Sequence, residues 1–504
     1  MISFRTPWVV VAVALLVFVR ALSGTFHFDD YALLVDPAIT DPAGWLTCFR
    51  LTQTRPLTWF SFWANYQLGG ELPLGYLAVN LLLHCANSLL VRIALARLAP
   101  LDVAAWGALL FAVHPFAVEP VDYIFARGTL LATMFALLSI RAWAGGKHWH
   151  AVCWFTVGML AKEEIAALPV FFFLLHLSVS QNRKEFYPIG AMLAIAFAAG
   201  LRVIYATSVI AGAGSGFAAG ITPFDYFSTQ GSVILTYARM VIWPFGFSID
   251  PAVAIVSMPW SLLSWAIIAG FTGLAFLRFS KARIGFWAVG ALVLLLPSSS
   301  IFPAADLAAD RRMYLPMIAV AMVLGYAQQS RPVWLKSGAV LVFALLSSVG
   351  INTWLSEQNL WANALELAPR KVRPRLELSR FSEPDIALRL LDEAQEIAPA
   401  NPAVASSKAR IFLSTARPDL ALKEFGRALA LEPANPVAIS NRGAALAALK
   451  QFEAAAIDFN SALRLDPCQF DARFNLRLLK MPSPAMPSAC PWNVEQKRKL
   501  GLIN

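Results

Sequence analysis

A succession of apolar runs, each near the length that carries a helix across a bilayer, restricts what this chain can become. About eleven can be read, near residues 8–22, 76–98, 104–122, 128–144, 149–161, 165–180, 187–208, 259–278, 284–299, 313–328 and 333–352. Of the 504 residues, 58% are hydrophobic and 14% charged, against roughly a quarter charged in soluble proteins. Most of the chain therefore belongs in lipid. The expectation is an all-α, polytopic membrane helical bundle of about eleven spans. The 16 Trp and 35 Phe suit a chain with much surface near membrane interfaces.

Loop charges test the order of the spans. With a cytoplasmic N-terminus, the inner loops hold Arg92 and Arg97, GGKHWH, QNRKE, LRFSKAR and QQSRPVWLK, nearly all basic. Much of the net charge of +10 lies in these loops, where it orients the protein, so no nucleic-acid partner is expected. The run Phe227 to Trp243 would invert the topology if it crossed, and is read as re-entrant or interfacial. The first 22 residues have the pattern of a signal peptide, with Arg5, an apolar core and small residues near Ser23. They are read as a retained first span. An odd number of spans places the C-terminal part outside, in the periplasm if the membrane is a bacterial inner membrane.

That topology gathers polar stretches from distant parts of the sequence on one outer face. They are FHFDD with Asp29 and Asp30; Arg55; His114, Glu119, Asp122 and Arg127; Lys162, Glu163 and Glu164; and Asp306, Asp310, Arg311, Arg312 and Tyr314. Acidic groups at a membrane edge are costly unless they have a task. Asp29 and Asp30 can act as a general base, which a carboxylate does when fixed within reach of a hydroxyl, or can form an acidic turn. Arginine binds two phosphate oxygens with its planar fork, so Arg311, Arg312, Arg55 and Lys162 are candidate phosphate ligands. Several of these residues have a structural alternative: Arg311 and Arg312 against Asp306 and Asp310, Lys162 against Glu163, Glu119 against Arg127. His114, before Pro115, either supports the site or caps a span. His84 reads as an interior hydrogen-bonded histidine. His27 beside the acidic pair lacks a third ligand, and no metal site is expected.

After Asn352 the composition turns polar. Prolines recur every 34 residues at Pro399, Pro433 and Pro467, and Ala421, Phe425 and Ala428 recur as Ala455, Phe459 and Ala462. This is the tetratricopeptide period. An earlier copy keeps Ala387, Leu391 and Ala394, and Trp361, Ala364 and Pro369 read as a leading half-repeat. The expected organisation is a membrane domain over 1–355, a helical-repeat α-solenoid over 356–480 and a proline-rich flexible tail over 481–504. The five cysteines have no CxxC spacing, which argues against a zinc or redox motif. Cys468 and Cys490 either pair in an oxidising compartment or remain free.

The motif order FDD, RPLTWFSFWANYQLGGELPLGYLAVNLLLH, FAVHPFAVEPVDYIFARGTLLA, LAKEEIAALP, STQ…YARMVIWPFGFSID and PSSSIFPAADLAADRRMYLP resembles one family. It is similar to the transmembrane and tetratricopeptide-repeat O-mannosyltransferases, in the GT-C class of polytopic glycosyltransferases. The likeness runs from about residue 26 to 320, and the repeats after 361 extend it. It implies a lipid-phosphate sugar donor, inverting transfer and an acidic base in the first outer loop. By position the base is Asp29, supported by Asp30. Arg311 and Arg312 stand in the paired-arginine motif and would contact the donor phosphate or shape its site. Arg55 and Lys162 are further phosphate candidates, and His114, Glu119, Glu163 and Tyr314 complete the expected site. The chain departs from the pattern in its FHF, its extra acid in AKEE and its short repeat array, which bear mainly on acceptor choice.

The expected partners are the bilayer, a polyprenyl-phosphate hexose and a protein or peptide acceptor held by the repeats. A membrane-anchored, non-catalytic scaffold is the rival, though an anchor needs only one or two spans. A transporter would place its charges near the bilayer midplane, whereas most of these fall at span ends.

Overall fold

The computed structural model describes residues 7–179, 183–209, 220–277, 283–300, 303–304, 306–487, 490, 492 and 494–502. Arg5 and the basic-loop segments 181–182 and 278–282 lie outside the described residues. All regular elements among the described residues are helical. The chain divides into one unit of Met1–Leu34 and Ala38–Ser356 and a second of Val35–Pro37 and Glu357–Asn504.

Among the described residues of the first unit, five helices are long and apolar enough to cross a membrane: Pro73–Leu95, Ile124–Ala144, Phe186–Ala206, Met258–Leu277 and Val333–Thr353. A sixth crossing is possible if Leu101–Val113 and Pro115–Asp122, bent by 56°, form one broken span. The bend has a local cause: Pro115 has no N–H to continue the helix, and a residue before proline is pushed to extended backbone. His114 adopts ψ 137° accordingly, and its Nδ1 accepts the freed amide of Phe116 at 3.2 Å. The eleven crossings expected from apolar runs are not reached by length and composition. Trp8–Ser23, Ile284–Leu295 and Met317–Ala327 are apolar but shorter. The runs at 149–161 and 165–180 become 12-residue helices, His148–Met159 and Leu168–Val179, each about 18 Å long against a hydrocarbon core of about 30 Å.

Ile124–Ala144 is mostly buried within the unit, whereas Met258–Leu277 and Val333–Thr353 expose most of their apolar surface, as lipid-facing helices do. The helices Leu101–Val113 and Met317–Ala327 approach through small residues. A Cβ on Gly107 would lie 2.6 Å from the Ala321 carbonyl oxygen, and one on Gly325 2.5 Å from that of Val103. The run Phe227 to Trp243 falls in a helix, Pro223–Ile242, that is not among the membrane-length apolar helices. Its polar face has a structural task. Gln230 Nε2 donates to the Leu307 carbonyl at 3.0 Å, and the Tyr237 hydroxyl to that of Ala309 at 2.9 Å, bracing the 306–312 loop.

The second unit carries the repeats as paired helices: Pro384–Ile397, Pro402–Ser414, Pro418–Leu431, Pro436–Ala448, Phe452–Leu465 and Phe470–Leu478. Glu357–Leu367 and Val372–Ser379 precede them. Ala421, Phe425 and Ala428, and their counterparts Ala455, Phe459 and Ala462, are fully buried, so each pair seals against its neighbour. A Cβ on Gly443 would meet the Phe459 ring at 2.9 Å. The caps keep the same period: Asn401, Asn435 and Gln469 each accept a backbone amide at a helix start.

Candidate active site

The acidic pair divides its work. Asp30 is fully buried, and its carboxylate accepts the backbone amides of His27 at 3.0 Å and Phe125 at 2.8 Å. It fastens the loop at 24–29 to the bend at 121–125. Asp29 is exposed, with its Oδ2 accepting the Tyr123 hydroxyl at 2.9 Å. The bend itself is fixed from a second side. Asn80, within Pro73–Leu95, donates to the carbonyls of Val121 and Tyr123, both at 3.3 Å. Its own oxygen accepts Arg127 Nε at 2.9 Å. Arg127, fully buried, also donates to the carbonyls of Ser61 and Tyr76 and lies over the Phe62 ring. Arg127 is thus structural, and its partner is not Glu119.

Glu119 instead meets Arg311. The Arg311 guanidinium also leans toward Asp306 at 3.5 Å and lies 5.9 Å from the Tyr123 ring centre. Burial works against its charge, but Glu119 and Tyr123 outweigh that and raise its pKa. Asp310, next in the chain, is pushed well above the usual carboxylate range by burial and then by the Glu119 charge. Tyr123 is raised by burial first and then by Asp30 and Asp29, so its hydroxyl remains a donor.

A second charged group stands beside this one. Arg55 precedes the helix Pro56–Gly69, whose first turn docks on the AKEE turn: Leu57 N donates to the Leu160 carbonyl at 3.0 Å, and the Thr58 hydroxyl to that of Ala161 at 2.8 Å. Arg55 forms a bidentate pair with Glu163, its Nε at 3.0 Å. Lys162 pairs with Glu164, and its Nζ donates to the Thr129 hydroxyl at 2.7 Å. Burial works against the Glu163 charge, yet Arg55 and Lys162 hold its pKa down to about 2. The Arg311 charge acts on both Arg55 and Lys162, so the two groups share one electrostatic neighbourhood.

Three expected site residues face elsewhere. Arg312 donates to the carbonyls of Asp306 and Leu307 and to the Tyr226 hydroxyl, which shapes the loop carrying Arg311. His114, buried, spans Phe116 N and the Val241 carbonyl. Tyr314, also buried, bonds His84 Nδ1 at 2.7 Å, and His84 Nε2 meets the Ala112 carbonyl. Asp122 is buried, and neither carboxylate oxygen has a hydrogen-bond partner among the described residues. Sequence reading missed Tyr123, Asn80 and Thr129. Their types are ordinary in apolar runs, and only the contacts mark them.

These features define a class: an α-helical protein with several membrane-length helices, an exposed loop acid beside paired cations, and a helical-repeat unit. The chain is 27% identical over 465 residues to mouse protein O-mannosyl-transferase TMTC4, covering 73% of this chain and 62% of that protein. It is 24% identical over 428 residues to Caenorhabditis elegans protein O-mannosyl-transferase F38B6.6, covering 75% and 60%. The chain is a distant homologue of the TMTC protein O-mannosyltransferases, and spans about three fifths of the length of these two relatives. No protein-family model matches it. Among solved structures, the Archaeoglobus fulgidus oligosaccharyltransferase tethered with an acceptor peptide is similar at a TM-score of 0.38 and 11% identity, covering 78% of this chain and 59% of that one.

Proposed function

We propose that the chain is a polyprenyl-phosphate-sugar-dependent glycosyltransferase, O-mannosyltransferase-like, which moves a hexose such as mannose to a hydroxyl of a protein or cell-envelope acceptor, with inversion. One observation carries this reading: Asp29 is an exposed acid beside committed ones. Asp30 is spent on backbone amides, Glu119 on Arg311, Glu163 on Arg55 and Glu164 on Lys162. The homology to O-mannosyltransferases supports it. In the reaction, the acceptor oxygen bonds to the sugar's anomeric carbon from the face opposite the phosphate. The bond from that carbon to the phosphate oxygen breaks, and its electron pair leaves on the polyprenyl phosphate. The hydroxyl proton passes to Asp29 and then to water. Arg311, with Arg55 and Lys162, stabilises the departing phosphate, while Arg312 and Asp30 hold the loops. An eleven-span topology would place this site and the repeats on the periplasmic or luminal side, where the repeats hold the acceptor.

The test is transfer from a radiolabelled polyprenyl-phosphate hexose in membranes, with wild type, Asp29→Asn and Arg311→Ala compared at equal expression. Label moved by wild type and not by Asp29→Asn supports the base. Equal transfer by all three removes these residues from the site. No transfer from several lipid-linked hexoses favours the scaffold.

A further inference from the structure

We propose that Tyr123 is the positioning residue of this site, its hydroxyl aiming Asp29 and its ring seating Arg311. The proposal rests on the transferase reading above. An exposed carboxylate on a loop samples several rotamers, and a base loses much of its effect when misplaced by about an ångström. Tyr123 removes that freedom at Asp29 by holding Oδ2 at 2.9 Å. Among the described residues Oδ1 accepts no hydrogen bond, which leaves it as the oxygen to accept a proton.

The hydroxyl is fixed because the ring is. Tyr123 is almost fully buried, stacked on Phe28 at 5.0 Å and on Trp354 at 5.7 Å. Its carbonyl is held by Asn80, and the amide two residues on by Asp30. The Arg311 guanidinium stands 5.9 Å from the same ring, within the range where a cation is attracted to an aromatic face. One side chain therefore touches both the candidate base and the candidate phosphate cation. Besides Asp29, the charges that act on the Tyr123 hydroxyl are those of Asp30 and Arg311. Phenylalanine would supply the same stacking, so only the contact with Asp29 calls for tyrosine.

Tyr123→Phe and Tyr123→Leu in the full chain, reconstituted in lipid nanodiscs, separate the two contacts. Three quantities are read: transfer kinetics, binding of a polyprenyl phosphate, and carbodiimide labelling of Asp29 mapped by mass spectrometry, with the half-buried Asp306 as the control. Tyr123→Phe is expected to lower kcat roughly 10- to 100-fold with the donor KM unchanged. It should also raise labelling at Asp29 alone, because the carboxylate is no longer held and capped at Oδ2 by the Tyr123 hydroxyl. Tyr123→Leu should also weaken polyprenyl-phosphate binding. Unchanged Asp29 labelling in Tyr123→Phe overturns the proposal, whether or not transfer is seen. Equal changes at Asp29 and Asp306 overturn it too, as general loosening. If wild type transfers no hexose while labelling at Asp29 responds, the transferase reading fails and the Tyr123–Asp29 contact stands.

Discussion

Arg311 and Glu119, 192 positions apart, are joined twice: the Arg311 amide and its Nη1 each donate to a different Glu119 oxygen at 2.6 Å. A side chain tied through its own backbone cannot swing away when its charge is neutralised. The guanidinium is therefore an oriented cation that a phosphate would meet without first having to gather it. Its other nitrogen, Nη2, leans only weakly on Asp306.

Removing Glu119 leaves the Arg311 amide and Nη1 without their acceptor in a mostly buried place. Glu119→Ala is expected to cost about 3 kcal/mol of stability, the scale for breaking a buried pair from one side. Glu119→Gln keeps one acceptor and should cost less. Denaturant unfolding of the purified chain measures both. Equal stability of the alanine variant and wild type would show that the pair is not closed in solution.

Asp29 and Asp30 should separate by phenotype. Asp30→Asn replaces an acceptor of a buried backbone amide with a donor, a loss of about 1–3 kcal/mol. Asp29→Asn is a surface change, expected within about 0.5 kcal/mol of wild type, while transfer falls by about 10²–10⁴. Thermal midpoints and transfer rates on both variants check this. The opposite pattern, with Asp30→Asn stable and inactive, would move the base by one residue.

The Arg55–Glu163 pair gives a pH signature. Because Glu163 is held down to about 2 from an ordinary 4.5, its contribution is full above about pH 4.5 and is lost as pH falls toward 2. The stability difference between wild type and Glu163→Gln should be flat from neutral pH to about 5 and then shrink with acidification. A difference that grows on acidification would mean that Glu163 is not paired with Arg55.

The repeats were legible because their signal is local: a period of 34 fixes the helix pairs, and each buried Ala and Phe repeats in register. The lipid character was legible from composition. The number of crossings was not, because an apolar run shows where lipid is tolerated and not where a helix stops. Leu168–Val179, for one, is only 12 residues long. At the site, the residue types were legible and the pairings were not. Asp30 and Asp29 are alike in sequence, and only the amides of His27 and Phe125 separate a structural acid from an exposed one. Arg127 looked like a partner for Glu119 eight positions away, yet its place among Asn80, Tyr76 and Phe62 is set by tertiary packing.

The tail after the last repeat is held by more than its proline content suggested. Cys468 and Cys490 are joined in a disulfide across a sequence separation of 22, so the pairing left open by the sequence is resolved. Arg473 donates to the carbonyls of Pro467, Pro484 and Ala485, and the Trp492 indole to that of Cys468 at 2.8 Å. These bonds hold Pro484 and Ala485 against Arg473 and Trp492 against the turn at Cys468. Outside this disulfide stand Cys48 and Cys85, both buried, and Cys153, exposed. Native protein should thus take one maleimide readily at Cys153, and denatured, unreduced protein should take three in all. Reduction before labelling should add Cys468 and Cys490. Replacing both with serine is expected to cost about 3 kcal/mol, the scale for a closed loop of this length. Five labels without reductant would show both thiols free. Such a result would also remove a support for placing the repeats in an oxidising compartment, since disulfides of this kind persist there and are rare in the cytosol.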